Sequence, residues 1–568
     1  MKNWRINLIS IFLILFSAAV IGRLIYLQIL HSDFYKALAQ GQQKIISVVQ
    51  GDRGKILFKG GETLATNIKG EILYISPREI ENKEETAKII TEILEASNNT
   101  SAIQQENISY DRILEKTKED NLFAIIKSKL TEEEIDSFKK TNLPGVYLGE
   151  EVFRNYPQDS LASHIIGFVD RDGKGQYGIE GYYDDALQGK EGFQKRARAP
   201  LEYFSIDSNN EGTDLFLTLD YNIQFQAEKL LKEAYQNRNF EEGTIIVVEP
   251  NSGRILALAN SPNFNPNQYS KEESLAIFQN SATQKTFEPG SVLKPITMAS
   301  AINEGKITPQ TTYVDKGYVK IGGYTISNFQ KQIWGECSMT KVLERSINTG
   351  AVFAEEQLGD DLFLKYLENF DFFEETGIDL QGEVFSPNSE FKKGYEINFA
   401  TASFGQGIEI TPIQLVKAFC AIANGGRLVK PYLVEKIVNG SDDVIEVQPE
   451  ISENPIITQT TASQVTEMMV STIENGYGKK AQIPGYYIAG KTGTAQIAYS
   501  SLGEKKSGYS GKTIQSFIGF APAYNPQFLI LVKFTDPKTE SAAYSVAPVF
   551  HEMAKYIIDY WQIPPDYE

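Results

Sequence analysis

The sequence has few of the residues on which several common chemistries depend. Its 568 residues include only two cysteines, Cys337 and Cys420. A chain of this length that relied on disulfides would carry more, and neither cysteine has Cys or His neighbours at metal-ligand spacing. We therefore predict no metal site and no cofactor. Cys420, in an apolar helical stretch, is expected to be a small buried residue, with a disulfide to Cys337 as the alternative.

Histidine and basic charge are also scarce. The three histidines, His31, His164 and His551, do not adjoin a plausible nucleophile motif, which argues against a Ser-His-Asp triad. Lysine and arginine number 55 against 73 acidic residues, and the formal charge is −18. Such a chain repels polyanions, so a role in nucleic-acid binding is excluded.

One long apolar run stands near the start of the chain, from Ile6 to Leu30. A helix rising about 1.5 Å per residue would cross a bilayer over this length. A cleaved signal peptide is the alternative, but the run continues well beyond the small residues Ser17 to Ala19. Lys2 and Arg5 precede the run and favour the cytoplasmic side. We expect a tail at 1–5, an anchor at 6–30, and an extracytoplasmic chain attached to the bacterial cytoplasmic membrane.

The remaining chain divides into two units. Residues 31–211 alternate short strand-like runs with charged helical stretches, which predicts an α+β pedestal domain. From residue 212 to 568 the pattern changes. Hairpin signatures stand around Pro250 to Gly253 and around Pro522 to Pro526, and a helix is expected near 547–561. This pattern predicts an antiparallel sheet closed by both ends of the unit, with helices on its faces.

Three short motifs occur in order within the second unit. They are Ser291-Val292-Leu293-Lys294, Ser346-Ile347-Asn348 and Lys491-Thr492-Gly493-Thr494. Each is weak alone, since Ser-x-x-Lys also begins at Ser137, Ser338 and Ser389. Context favours the first copy, because a Pro-Gly turn precedes Ser291 and would place it at the start of a helix. The i to i+3 spacing then puts Lys294 on the same helix face.

The motifs predict a nucleophilic serine activated by lysine. Lys294 can accept the Ser291 proton only when it is neutral, and burial with a second cation, Lys491, would lower its pKa. Ser346 is expected to relay a proton to the leaving amine. Asn348 is expected to hold Lys294 and the substrate amide.

The segment from Lys491 to Thr494 follows an apolar run and is predicted to be a strand end at the border of a cleft. Gly493 is expected to let a substrate backbone approach closely. The hydroxyls of Thr492 and Thr494 are expected to bind a carboxylate beside Lys491. The backbone N–H groups of Ser291 and Thr494 are the predicted oxyanion hole.

Taken together, the motifs resemble those of penicillin-binding proteins and β-lactamases. Further segments resemble the class B penicillin-binding proteins, with a lean to the division-type subgroup. These segments are Arg154-Asn155-Tyr156-Pro157, Gly178-Ile179-Glu180-Gly181, Thr218-Leu219-Asp220, Phe404-Gly405-Gln406-Gly407 and Thr411-Pro412-Ile413-Gln414-Leu415. The resemblance covers nearly the whole chain. It implies an α+β multidomain protein, in which a dimerisation-type pedestal precedes a transpeptidase domain with a five-stranded antiparallel sheet, similar to serine β-lactamases.

The resemblance also implies the reaction and the partners. Ser291 would attack the penultimate D-Ala carbonyl of a peptidoglycan stem peptide, release terminal D-Ala and pass the acyl group to an amine. β-Lactams would acylate the same serine. The expected partners are a membrane-embedded glycosyltransferase and other proteins of cell division or elongation, which determines cell shape. Two alternatives remain open at this point: a hydrolase of the D,D-carboxypeptidase or β-lactamase type, and a non-catalytic β-lactam-binding scaffold or sensor.

Overall fold

The computed structural model describes residues 44–97, 109–189, 191–197, 211–439 and 443–568, together with Leu13, Phe16 and Ser17. The predicted anchor at 6–30 lies outside the described residues apart from those three, which are helical and exposed. Within the described part of the chain, no helix has both the length and the apolar composition that crossing a membrane requires.

Twenty strands occur in the described residues. In chain order they are β1 Lys44–Gln50, β2 Ile56–Leu57, β3 Thr63–Ile75, β4 Ala124–Lys127, β5 Val146–Asn155, β6 Phe168–Val169, β7 Gly175–Gln176, β8 Glu191–Ala197, β9 Asp214–Leu217, β10 Glu242–Val248, β11 Ile255–Ser261, β12 Thr312–Asp315, β13 Tyr318–Ile321, β14 Tyr324–Ser327, β15 Gly335–Ser338, β16 Val434–Val438, β17 Val444–Glu446, β18 Ala489–Ala498, β19 Tyr509–Ala521 and β20 Phe528–Thr535.

The α-helices of the described residues divide between the two halves of the chain. In the first half they span Lys83–Ser97, Tyr110–Lys118, Glu132–Thr141, Ser163–Ile166, Gly178–Tyr182 and Asp184–Leu187. In the second half they span Tyr221–Arg238, Lys294–Asn303, Met339–Glu344, Asn348–Leu358, Asp360–Asn369, Glu396–Ala402, Pro412–Ala423, Gln459–Glu474, Ala542–Ser545 and Ala547–Trp561.

The second half is built on a five-stranded antiparallel sheet in the order β11-β10-β20-β19-β18. Both hairpins expected from the turn sequences are present, as β10–β11 and β19–β20. Strand β20 is buried on both faces, so alternate side chains enter two different cores: Leu529 and Leu531 join one, Ile530 and Val532 the other.

Helices cover both faces of this sheet. Tyr221–Arg238 and Ala547–Trp561 supply the core on one face. Lys294–Asn303, Pro412–Ala423 and Gln459–Glu474 supply it on the other. The edge strand β18 packs against the turn that begins the helix Lys294–Asn303. That contact brings the first and third motifs together.

The description of a single sheet in the second unit was incomplete, because a seven-stranded mixed sheet crosses the expected boundary at residues 211 and 212. Its order is β17-β16-β9-β2-β3-β4, with β5 also paired to β3. Strand β9 lies in the second unit but does not join its five-stranded sheet. It pairs parallel with β2 of the first unit, placing Leu215 opposite Ile56. Pairing between short strands so far apart in sequence has no local signal.

A buried ionic cluster lies within the first half of the chain. Glu180 is fully buried and accepts from Arg53 Nε and Arg154 Nε, each at 2.7 Å. Arg53 reaches Asp184 as well, at 2.7 Å, and Tyr156 donates to Glu180 at 3.2 Å. Paired in this way, the charges tolerate burial, and they join segments of the first half that are far apart in sequence.

The two cysteines are both buried and both unpaired. Cys420 lies in the helix Pro412–Ala423, as expected for a small apolar residue. Cys337 lies in β15, and because it is not bonded to Cys420 the alternative of a disulfide is wrong.

Candidate active site

Ser291 lies in a single 3-10 turn, Gly290–Leu293, that leads directly into the helix Lys294–Asn303. Gly290 has φ +60° and donates its N–H to the Gly405 carbonyl at 2.9 Å. The segment Phe404-Gly405-Gln406-Gly407, here called the glycine-rich loop, packs against this turn. A Cβ on Gly405 would lie 2.1 Å from the Gly290 carbonyl oxygen, so only glycine fits at position 405. The N–H of Lys294 bonds the Ser291 carbonyl, which sets the two residues one turn apart.

The side chain of Lys294 is completely buried and reaches the second motif. Its Nζ lies 2.6 Å from the Ser346 carbonyl, 2.9 Å from Asn348 Oδ1 and 3.3 Å from Ser346 Oγ. Asn348 is oriented by its own amide, which donates to the Ser327 carbonyl at 3.1 Å. Burial and the nearby Lys491 hold the pKa of Lys294 well below the usual range of lysine. This shift favours the neutral amine over the ammonium form.

Ser346 has a backbone conformation that the sequence did not indicate. It lies between the helices Met339–Glu344 and Asn348–Leu358 with φ +53°, a left-handed conformation that costs a residue other than glycine about 1–2 kcal/mol. In this conformation both its carbonyl and its hydroxyl face Lys294. Backbone strain retained at such a position is typical of functional sites.

Lys491 completes the network from the edge strand β18. Its side chain is 1% exposed, and its Nζ donates to Ser346 Oγ at 3.0 Å and to the Thr492 carbonyl at 3.0 Å. Burial lowers the pKa of Lys491 to about 7. The Ser346 hydroxyl thus lies between two lysine amines, as a proton relay requires.

Gly493 has a packing role that the sequence did not reveal. A Cβ at this position would lie 2.6 Å from Ser516 Oγ, 2.8 Å from Val292 Cγ1 and 3.1 Å from the Pro289 carbonyl. The absent side chain makes room for the turn that carries Ser291. The expectation that Gly493 admits a substrate backbone stays a prediction.

The two threonines lie on the opposite face of β18 from Lys491 and Gly493, because strand side chains alternate. Thr494 is exposed and its hydroxyl accepts the Ala542 N–H at 3.4 Å, whereas Thr492 is buried. The carboxylate-binding role of both hydroxyls stays a prediction.

Sequence reasoning overlooked Glu288, which it treated only as part of the turn before Ser291. The Glu288 carboxylate accepts the Gly407 N–H at 3.2 Å and the Tyr509 hydroxyl at 3.1 Å. Burial raises the pKa of Glu288 to about 7. This carboxylate joins the serine turn to the glycine-rich loop and to the start of β19. Its position directly before Pro289-Gly290 was the available signal.

The arrangement fits acyl transfer. The Ser346 carbonyl and Asn348 Oδ1 can take both N–H bonds of a neutral Lys294, which leaves its lone pair for a hydroxyl proton. A serine at a helix start, a buried lysine one turn along and a second serine–lysine pair on a sheet flanked by helices define a serine acyltransferase of the penicillin-binding class.

Comparison with known proteins agrees with this class. Residues 243–555 match the family described as penicillin binding protein transpeptidase domain, and residues 48–209 match the penicillin-binding protein dimerisation domain. The chain belongs to the penicillin-binding proteins, and with both domains it is a class B member, as the resemblance predicted.

Relatives and solved structures are similar over almost the whole chain. Stage V sporulation protein D of Bacillus subtilis is 31% identical, over 93% of this chain and 81% of its own. Peptidoglycan D,D-transpeptidase FtsI of Escherichia coli is 28% identical, over 99% and 93%. The crystal structure of penicillin binding protein 3 of Mycobacterium tuberculosis, complexed with aztreonam, has a TM-score of 0.69 at 23% identity, over 91% of this chain and 98% of that one. The structural likeness supports the fold.

Proposed function

We propose that this chain is a peptidoglycan D,D-transpeptidase with Ser291 as its nucleophile. The observation that carries the proposal is the buried network in which Lys294, Ser346, Asn348 and Lys491 share hydrogen bonds beside the turn of Ser291. The transpeptidase domain of the family and the names of the relatives support the same reaction.

In the first half-reaction, Ser291 Oγ attacks the carbonyl carbon of the penultimate D-Ala, and its proton passes to neutral Lys294. The amide C–N bond breaks, and the departing D-Ala nitrogen receives a proton through the Ser346 hydroxyl, which lies between the two lysines. Asn348 keeps Lys294 in place and offers hydrogen bonds to the substrate amide. The product is an ester on Ser291 and free D-Ala.

The open edge of β18 supports the assignment of the oxyanion hole. The carbonyls of Gly490 and Thr492 accept bonds from Thr472 and Lys491, outside the sheet. Alternation along an antiparallel strand then directs the N–H of Thr494 to the same open side. The Ser291 N–H donates to no described residue, so both donors are available to a developing oxyanion.

In the second half-reaction an amine from another stem peptide attacks the ester, returns the proton to the serine through the same groups and forms the cross-link. The base of this step is either Lys294 or the relay through Ser346. Charged Lys491, with Thr492 and Thr494, is assigned to the terminal carboxylate of the donor.

We further propose that residues 6–30 anchor the chain in the cytoplasmic membrane with the catalytic domain outside. Within the family, the relatives support the division-type subgroup. The pedestal is the proposed contact for a membrane-embedded glycosyltransferase.

Covalent labelling with a fluorescent penicillin tests the nucleophile. Wild type should form a stable adduct and Ser291→Ala should not, whereas Ser137→Ala, in a half-buried Ser-x-x-Lys copy of the first half, should label normally. Retained labelling of Ser291→Ala would exclude this serine.

Product analysis with a donor peptide and an amine acceptor separates the alternatives. A cross-linked amide supports transfer. Hydrolysis alone would favour the carboxypeptidase or β-lactamase type, and labelling with no turnover of any peptide would favour a scaffold or sensor.

A further inference from the structure

Arg345 directly precedes Ser346, and none of the roles above uses it. Its guanidinium carbon lies 5.7 Å from the ring centre of Trp334 and 5.9 Å from that of Tyr477. The rings come from separate segments, one just before β15 and one just after the helix Gln459–Glu474. Cation–π contact with both rings fixes the position of the guanidinium.

Backbone hydrogen bonds hold the two aromatic residues in place. The Trp334 N–H donates to the buried Asp315 carboxylate at 2.8 Å. The Tyr477 N–H donates to the Glu344 carbonyl at 3.2 Å, and the preceding Gly476 would place a Cβ 2.5 Å from that same oxygen. The aromatic pair is therefore preorganised.

Arg345 has no carboxylate partner among the described residues. The adjacent Glu344 is already engaged, with one oxygen 3.0 Å from Lys341 Nζ and the other 2.7 Å from Ser471 Oγ. Arg345 Nε is buried without an acceptor, and the terminal nitrogens donate to no described residue but are not enclosed. A half-buried guanidinium with free terminal donors matches the two oxygens of a carboxylate.

The position relates this cation to the substrate. The neighbouring Ser346 holds Lys294 through both its carbonyl and its hydroxyl, and consecutive Cα atoms are only about 3.8 Å apart. A peptide bound beside Ser346 is therefore the nearest source of an anion for Arg345. The terminal carboxylate of the donor is assigned to Lys491 and β18, so a different carboxylate is required.

We propose that Arg345, set between Trp334 and Tyr477, binds a second, free carboxylate of a peptidoglycan peptide during the reaction. This inference rests on the proposed transpeptidase function. The carboxylate belongs either to a donor residue upstream of the scissile bond or to the acceptor peptide. The subsite makes the enzyme selective for the free acid over its amide.

The test compares peptides that differ only in a carboxylate or a carboxamide. In the donor arm, single-turnover acylation of Ser291 is measured with both donor forms. In the acceptor arm, transfer from a preformed acyl-enzyme is measured with both acceptor forms. The proteins are wild type, Arg345→Gln, Arg345→Lys, and Arg427→Gln as a control with the same charge change at an exposed arginine.

In the arm whose peptide carries the bound carboxylate, wild type and Arg427→Gln should prefer the free acid by about tenfold, as expected for a charge-assisted pair. Arg345→Gln should lose the preference, and Arg345→Lys should keep part of it, because an ammonium lacks the planar fork. The ratio of the two forms is the readout, since a purely structural defect slows both equally.

An unchanged ratio in Arg345→Gln, or no preference in wild type in either arm, overturns the proposal. Penicillin labelling of every variant reports whether its active site is intact. Failure of the proposed function has a different signature: either no donor acylates Ser291, or the acyl-enzyme passes only to water with every acceptor form.

Discussion

Replacing Gly493 by alanine should slow acylation of Ser291 much more than it destabilises the protein. The added Cβ would lie 2.8 Å from Val292 Cγ1, and it would lie 2.6 Å from Ser516 Oγ. Carbon atoms in contact stay about 3.5–4.0 Å apart, so the serine turn must move away from β18 by about 0.7–1.2 Å. A misplacement of about 1 Å can cost about 100-fold in rate. We expect penicillin acylation to fall by about 10- to 100-fold.

The stability cost of the same change is smaller. Overpacking of a tight interior costs about 1–3 kcal/mol. The matched transpeptidase domain, residues 243–555, has an unfolding entropy of about 0.7 kcal/mol/K at about 2.1 cal/mol/K per residue. The expected decrease in Tm is therefore about 2–5 °C by thermal unfolding, and the variant remains folded at assay temperature.

Two further variants make the test specific. Gly511→Ala is the matched control. Gly511 lies in the neighbouring strand β19, and a Cβ there would have no atom within 4 Å. Ser516→Ala removes a buried hydroxyl that has no hydrogen-bond partner, so it should be harmless alone and should partly restore acylation when combined with Gly493→Ala. Gly493→Ala acylating at the wild-type rate would refute the reasoning.

Two other predictions follow from the buried charges. Acylation by a carboxylate-bearing β-lactam should rise with pH as Lys294 loses its proton, then level or fall above about pH 7 as Lys491 loses the charge proposed to bind the carboxylate; a stopped-flow pH profile that rises monotonically to pH 10 would contradict this. Glu180→Ala should lower the free energy of unfolding by about 3–5 kcal/mol, since it leaves Arg53 and Arg154 buried without their shared partner; denaturant unfolding measures it, and a cost below about 1 kcal/mol would show that the cluster does not stabilise the fold.

Local patterns in the sequence were sufficient for several elements. The turn residues between apolar runs predicted the hairpins β10–β11 and β19–β20, and the helix expected near 547–561 is present as Ala547–Trp561. These features depend on neighbours within a few residues, so propensity and periodicity carry the information. The seven-stranded sheet could not be predicted in the same way, because β2 and β9 are short and distant in sequence.

For the candidate site, the sequence by itself determined the set of reactive side chains and their order. It supplied two serines, two lysines and an amide in a fixed order, with a Pro-Gly turn before Ser291 and few histidines to compete as a base. Helical spacing set Ser291 and Lys294 one turn apart. Each of these statements needs only local geometry.

Only the tertiary structure decided how these side chains contact one another. The left-handed backbone of Ser346, the serine turn filling the space at Gly493 and the rings around Arg345 all arise from contacts between segments far apart in the chain. The lowered pKa of both lysines has the same origin, because desolvation is a property of the assembled core and not of a motif. The sequence therefore determined which groups are present, and long-range packing decided their protonation and their partners.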